Sequence, residues 1–335
     1  METWFEANKR DFPWRRDPTP YRVWISEVML QQTRASVVVP YFLRWMDLFP
    51  NVKRLYMAPI EQVIKAWEGL GYYSRARNIH AAAKQIVEEF GGEMPDAREA
   101  LLSLPGFGAY TTGAVLSFGF HKRAAAVDGN VLRVLSRYFL IEENVSKTKV
   151  RRKIEEKAEA MLDPSRPWVT AEALIELGAT VCLPQPLCED CPLSKGCLAL
   201  QAGKADALPI KNEERGVTSL RRTVFVIEHE GCVLVRKGER GKVMADLYEF
   251  PYIEAACGRG KVVDSAHSFV GGELVFVRKL TERQHTFTRY KANLSPYLIR
   301  ARRREASTGY EWVPIVQISD LPFSSGHRKI ASEVT

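Results

Sequence analysis

No apolar run in this 335-residue chain approaches the roughly 20 residues needed to span a bilayer. The opening METWFEANKRDFPWRRD has no uninterrupted apolar core behind its charges, which argues against a secretory signal. Internal repeats and low-complexity tracts are missing, and alternating strand patterns are absent before about residue 200. Cysteine is sparse, with six residues, yet four of them crowd together at Cys182, Cys188, Cys191 and Cys197. A disulfide scaffold would be short, secreted and evenly stapled, so a reducing cytoplasmic setting and a metal site are expected instead. Secreted and membrane classes are poor readings, and no membrane partner is expected.

What remains is the composition of a soluble two-domain protein: 46% hydrophobic and 26% charged residues, enough for real cores. The net charge of +8 is uneven, because residues 219–335 hold 19 basic against 13 acidic residues. That excess is compatible with a polyanionic partner such as nucleic acid, although many basic proteins bind none.

The first two hundred residues read as helical. Ser74 can cap SRARNIHAAAKQIVEEF, whose Ile79, Ala82, Ala83, Ile86, Val87 and Phe90 recur with helical period until Gly91 and Gly92 stop it. Asp96 with Glu99 has capping-box spacing before the next helix. The stretch 203–218 is polar and aperiodic and reads as a linker. Beyond it, RRTVFVIEHEGCVLVRKG, ELVFVRKL and ANLSPYLIRARRR read as strands, the first pair joined by a Glu-Gly turn. The expected fold is multi-domain: an all-α half over 1–202, a linker over 203–218 and an α+β domain over 219–335.

Four features carry chemistry. Leu104-Pro-Gly106-Phe-Gly108 lies between two helices, so its backbone N–H groups can approach a phosphate as in a helix-hairpin-helix; an ordinary glycine turn is the plain alternative. Asp128 precedes a periodic helix and can simply cap it, or can be held charged there by the helix N-terminus. Glu27 lies among Val23, Trp24, Val28 and Met29, where desolvation would raise its pKa; otherwise it belongs to a solvated helix face. A neutral acid paired with an anion is the arrangement that breaks glycosidic bonds through an oxocarbenium-like state. The clustered cysteines fit a [4Fe–4S] cluster or tetrahedral zinc, and spacing alone does not choose. Arg75 and Arg77 read as solvated charges or phosphate contacts.

Taken together, VWISEVMLQQT, GLGYYSRARN, LPGFGAYTTGAV, VDGNVLRVLSR and the cysteine cluster resemble the MutY-type adenine DNA glycosylases of the endonuclease III, or helix-hairpin-helix, superfamily. The resemblance implies a six-helix barrel with a [4Fe–4S] cluster on Cys182, Cys188, Cys191 and Cys197. The first cysteine gap, Leu183 to Leu187, is five residues where the family has six. It implies that adenine opposite 8-oxoguanine or guanine is flipped from duplex DNA and excised. Glu27 would protonate the base at N7, Asp128 would stabilise the sugar cation, and Tyr110 and Asn130 would hold the carboxylates. Leu30, Gln32 and Tyr72 would wedge beside the base stack. Bifunctional relatives carry a lysine where Tyr110 stands, so a monofunctional glycosylase is implied.

The C-terminal half resembles a Nudix-related domain that recognises 8-oxoguanine, with Asp246-Leu-Tyr-Glu-Phe-Pro251 matching a family strand and no catalytic Nudix box present. The family's Phe-Ser-His motif is here Phe287-Thr288-Arg289, which implies a preference for 8-oxoguanine that is retained but weakened. A monomer in the cytoplasm, associated with the nucleoid, is expected. Two alternatives stand beside this reading: an endonuclease III-like glycosylase/AP lyase, and a non-catalytic iron–sulfur DNA-binding protein.

Overall fold

The computed structural model describes residues 1–212, 216–239, 244–287 and 289–334. They form two compact units, Met1–Met57 with Asn78–Glu214 and Ala58–Arg77 with Arg215–Thr335.

The first unit is helical, with no strand among its described residues. It contains α1 (Glu2–Asn8), α2 (Pro13–Arg16), α3 (Pro20–Leu30), α4 (Ala35–Leu48) and α5 (Val52–Met57). After α6 (Ile60–Ala66), which belongs to the second unit, α7 (Ser74–Phe90) carries the chain back into the first. There follow α8 (Arg98–Ser103), α9 (Ala109–Ala114) with a π-turn over Val115–Gly119, α10 (Gly129–Tyr138), α11 (Thr148–Ala160), α12 (Pro167–Thr180) and α13 (Leu198–Gln201).

Local chemistry sets the helices that matter. Pro20 pre-sets the first turn of α3, and the Thr19 hydroxyl accepts from Arg22 N–H at 3.4 Å. The Asp128 carboxylate caps α10, accepting from the N–H groups of Asn130 at 2.9 Å and Val131 at 2.8 Å. Val131, Leu135, Leu174 and Leu177 are buried between α10 and α12, each removal from water contributing on the order of 2 kcal/mol. At Gly178 the two helices come so close that a Cβ would lie 2.6 Å from Asn130 Cβ. Gly106 has φ +81°, and its missing Cβ would stand 2.8 Å from Asn78 Cβ, so the turn before α9 requires glycine.

Two helix starts differ from the sequence reading. Ser74 is the first residue of α7 rather than its cap. Ala97, not Asp96, precedes α8, and it makes no side-chain cap bond. Asp96 is drawn instead to the Lys122 ammonium at 2.5 Å.

The second unit is built on a sheet of eight strands among the described residues: β1 (Thr218–His229), β2 (Cys232–Lys237), β3 (Tyr248–Glu249), β4 (Tyr252–Ile253), β5 (Leu274–Lys279), β6 (Arg283–Phe287), β7 (Tyr290–Ala301) and β8 (Glu311–Pro314). Glu230 and Gly231, both at positive φ, form the tight turn joining β1 and β2. The main path runs β3-β2-β1-β7-β5, with β1 and β7 parallel from Thr218↔Tyr290 to Glu228↔Arg300. Alternation along β1 sends Val224 and Val226 to one face, with Phe250, Phe323 and Ile330, and Phe225 and Ile227 to the other, with Val262 and Ala266. Helix α15 (Ser325–Ala331) covers the first face and α14 (Val262–Ala266) the second.

The segment Ala58–Arg77 packs in this unit, where Glu68 accepts from Arg328 Nε at 2.6 Å and from Phe323 N–H at 3.2 Å. No helix among the described residues is long and apolar enough to cross a membrane.

Candidate active site

Glu27 lies on the buried side of α3 and is 7% exposed. Asp128 at the head of α10 lines the same cavity, of about 1080 Å³, together with Tyr110 and Asn130. The Tyr110 hydroxyl donates to Glu27 Oε2. Burial pushes the Glu27 carboxyl up to about 7, with the Tyr110 bond opposing and the nearby Asp128 and Glu172 charges reinforcing. The phenol is driven well above its ordinary range by burial and by the two carboxylates, so it remains a donor.

Asp128 departs from the expectation of a lowered pKa. Burial raises it, and this outweighs its bonds from Val131, Asn130 and the Arg133 charge. A helix N-terminus stabilises the anion, but less than the loss of water destabilises it. Asn130 Nδ2 donates to Asp128 Oδ2 at 2.8 Å, and Asn130 Oδ1 accepts from Arg133 at 2.9 Å. The Arg133 guanidinium is tied in turn to the carbonyls of Gly178 and Cys182, both at 2.7 Å.

Leu30 and Gln32, at the end of α3, line this same cavity. Gly106 and Gly108 shape the turn before α9, with the Gly108 carbonyl accepting from Thr112 N–H at 3.0 Å. Among the wall residues outside the sequence reading are Arg10, Arg15, Glu172 and Glu176. A signal was present, because two acids four residues apart interrupt the apolar segment AEALIELGA and share one helix face.

Tyr72 and Phe287 come together elsewhere, in a cavity of about 530 Å³ within the second unit. His285, Thr286 and Ser324 line it as well. Tyr72 has φ +47° and is 48% exposed. Arg289 stands outside that lining, with its guanidinium over the Tyr290 ring at 5.3 Å. Thr288 lies outside the described residues.

Arg75 is buried rather than solvated. It lies over Trp67 at 5.1 Å and donates to the carbonyls of Leu70 at 3.0 Å and Gly71 at 3.1 Å. Arg77 donates to the Ala245 carbonyl at 3.1 Å.

Cys182, Cys188, Cys191 and Cys197 line one further cavity with Val134, Leu177 and Leu193. Among the described residues no three such donors converge closely enough to hold an ion as they stand. Their chemistry nevertheless fits a cationic centre: burial and mutual repulsion push the Cys188 and Cys191 thiols up, a penalty that a metal removes. Arg137, 2% exposed, secures the short loop by donating to the carbonyls of Leu183 and Pro184, the latter at 2.8 Å, and to Cys182 Sγ at 3.4 Å.

Comparison with known proteins adds the following. Residues 25–160 match the model of the HhH-GPD superfamily of base excision DNA repair proteins, and residues 223–333 match the NUDIX domain model. The chain is 30% identical over 305 residues to an adenine DNA glycosylase of Buchnera aphidicola subsp. Schizaphis graminum, covering 88% of this chain and 85% of that protein. It is 44% identical over 220 residues to the mouse adenine DNA glycosylase, covering 62% of this chain and 43% of the mouse protein. The chain thus spans less than half the length of that mammalian relative. A solved thermostable thymine-DNA glycosylase superposes with a TM-score of 0.56 at 30% identity, covering 60% of this chain and 93% of that one.

Proposed function

The chain belongs to the adenine DNA glycosylase family, and on that premise we propose that it excises adenine from duplex DNA by acid-assisted hydrolysis of the N-glycosyl bond. The observation that carries this reading is one cavity lined by both Glu27 and Asp128, with Tyr110 bonded to the first and Asn130 to the second.

A carboxyl held near pKa 7 is half protonated at neutral pH and can give its proton to adenine N7. The C–N bond then breaks with its electron pair leaving on the neutral base. Asp128 steadies the cation that develops on the sugar until water adds at C1′ and gives up a proton to the Glu27 carboxylate, restoring the acid. Tyr110 and Asn130 fix the two carboxylates, and a phenol in place of a lysine forms no imine with the sugar, so strand cleavage is not part of the reaction.

Leu30 and Gln32 would fill the gap left by the extruded nucleotide. Gly106 and Gly108 would admit a phosphate close to the backbone. In the second unit, Tyr72, Phe287, Thr288 and Arg289 would read the base opposite adenine, 8-oxoguanine or guanine. Cys182, Cys188, Cys191 and Cys197 would hold a [4Fe–4S] cluster, which would clip the C-terminal end of the helical half. The division into a catalytic part over 1–202, a linker over 203–218 and a recognition part over 219–335 belongs to the same proposal.

The test is a duplex with a central adenine opposite 8-oxoguanine. The parent protein releases free adenine without breaking the strand, and Asp128→Asn releases none. A borohydride-stable adduct in stoichiometric yield would favour a lyase, and no base release at all would leave a DNA-binding protein.

A further inference from the structure

Glu176 has no part in the reaction just described, yet it is a fully buried carboxylate surrounded by donors. It stands on α12 one turn beyond Glu172. Its Oε1 accepts from the Arg10 backbone N–H at 3.2 Å and from Arg10 Nε at 2.6 Å. Its Oε2 accepts from Arg10 Nη2 at 3.2 Å and from Arg15 Nη2 at 2.9 Å. Arg15 Nη1 donates to the Arg10 carbonyl at 2.9 Å, and Arg15 Nε lies 3.4 Å from Glu172 Oε2. One carboxylate therefore fastens two guanidinium groups to the wall of the cavity that holds Glu27 and Asp128. Removing one member of such a buried set leaves the other charges uncompensated.

We propose that Glu176 is a positioning residue for the proton donor: it anchors Arg10 and Arg15 and cancels part of their charge, so that Glu27 faces a fixed set of neighbours with less positive charge. The proposal rests on the reading of Glu27 as the acid. The groups facing Glu27 are Tyr110 from α9, Asp128 at the head of α10, Glu172 from α12 and Arg15 from α2, and the cations Arg34 just before α4, Arg151 on α11 and Lys211 line the same cavity. Tyr110 and Arg15 favour the carboxylate, whereas Asp128 and Glu172 favour the acid. Without the Glu176 charge, the arginine pair carries an unmatched positive charge that favours the Glu27 anion.

The experiment uses the full chain and two independent readouts. One is the ¹³C carboxyl titration of Glu27 in DNA-free protein, assigned by its loss in Glu27→Gln. The other is single-turnover adenine release against pH. In Glu176→Gln both the titration and the alkaline limb move about one pH unit toward acid. Release at pH 8 then falls about tenfold, while release at pH 6 changes less than about threefold. The double variant Arg15→Gln/Glu176→Gln restores the charge count and brings the titration back toward the parent value.

An equal loss at every pH with an unmoved Glu27 titration would make Glu176 a packing residue and overturn the proposal, as would a double variant still shifted like the single one. Should Glu176→Gln not fold, Glu176→Asp decides: keeping the charge must keep the titration in place, and a shift there overturns the proposal. A parent protein that releases no adenine while its Glu27 titration still responds to Glu176→Gln counts against the proposed reaction, not against the positioning role.

Discussion

The cavity of the helical unit and the cavity of the sheet-bearing unit each hold a buried titratable side chain, Glu27 in the first and His285 in the second, but burial acts on opposite chemistry in them. The first is lined by Glu27, Asp128, Glu172 and Glu176 together with the cations Arg10, Arg15, Arg34, Arg151 and Lys211. Burial there lifts Glu27 to about 7, leaving a proton available at neutral pH. The second presents Tyr72, Tyr73, Phe287 and the hydroxyls of Ser324 and Ser325. Its His285 is held down at about 4 by burial first, then by the Arg222 and Lys329 charges, so it is neutral where Glu27 titrates. The same loss of water favours the neutral form in both places, keeping a proton on a carboxyl in one and removing a charge from an imidazole in the other. On the proposed reading, the first cavity moves a proton and the second holds a flat, uncharged group by stacking and hydroxyl contacts.

The largest effect should come from the acids. Glu27→Gln or Asp128→Asn is expected to lower single-turnover adenine release by at least about 10³-fold. Affinity for an uncleavable duplex, measured by anisotropy, should stay within about threefold of the parent, because neither group serves binding alone. A loss of tenfold or less would remove the chemistry from the first cavity and dissolve the contrast.

A smaller effect is expected in the second cavity. Phe287→Ala or Tyr72→Ala should reduce the preference for adenine opposite 8-oxoguanine over guanine by about tenfold, the worth of one lost stacking contact. Rates on the guanine mispair should change by less than about threefold, and equal slowing of both mispairs would contradict a recognition role.

The smallest effect is a displaced pH profile. Adenine release by the parent should decline as pH rises through about 7, because the protonated Glu27 is the active form. The Tyr110 hydroxyl stabilises the Glu27 anion, so Tyr110→Phe should keep the acid protonated to higher pH and move the alkaline limb upward by less than about one pH unit. A rate profile from pH 5 to 9 measures this, and a limb that moved toward acid would refute the proposed bonding.

Much of this was legible in the chain because it depends on short-range pattern. The helical period from Ile79 to Phe90, the glycine stops after it and the Glu230-Gly231 hairpin turn are local facts. Glu27 among apolar neighbours on α3 already implied a raised pKa, and the burial of α3 supplies the cause. The opposite held at Asp128, where the local rule of a helix cap lost to desolvation by residues distant in sequence. Asp96 and Arg75 were misread for the same reason: Lys122 is 26 residues away from the first, and the second is buried against Trp67 and the carbonyls of a tight turn.

Residue type and spacing alone determined the α-then-β order of the chain, the cysteine cluster and the identity of two candidate acids, since each is a property of neighbours along the backbone. Only the tertiary structure decided that Glu27 and Asp128 share one cavity, that Ala58–Arg77 joins the sheet-bearing unit and that Glu176 holds Arg10 and Arg15. Glu176 and Arg10 are 166 residues apart in sequence, and a salt link across that distance is set by packing, which no local pattern encodes.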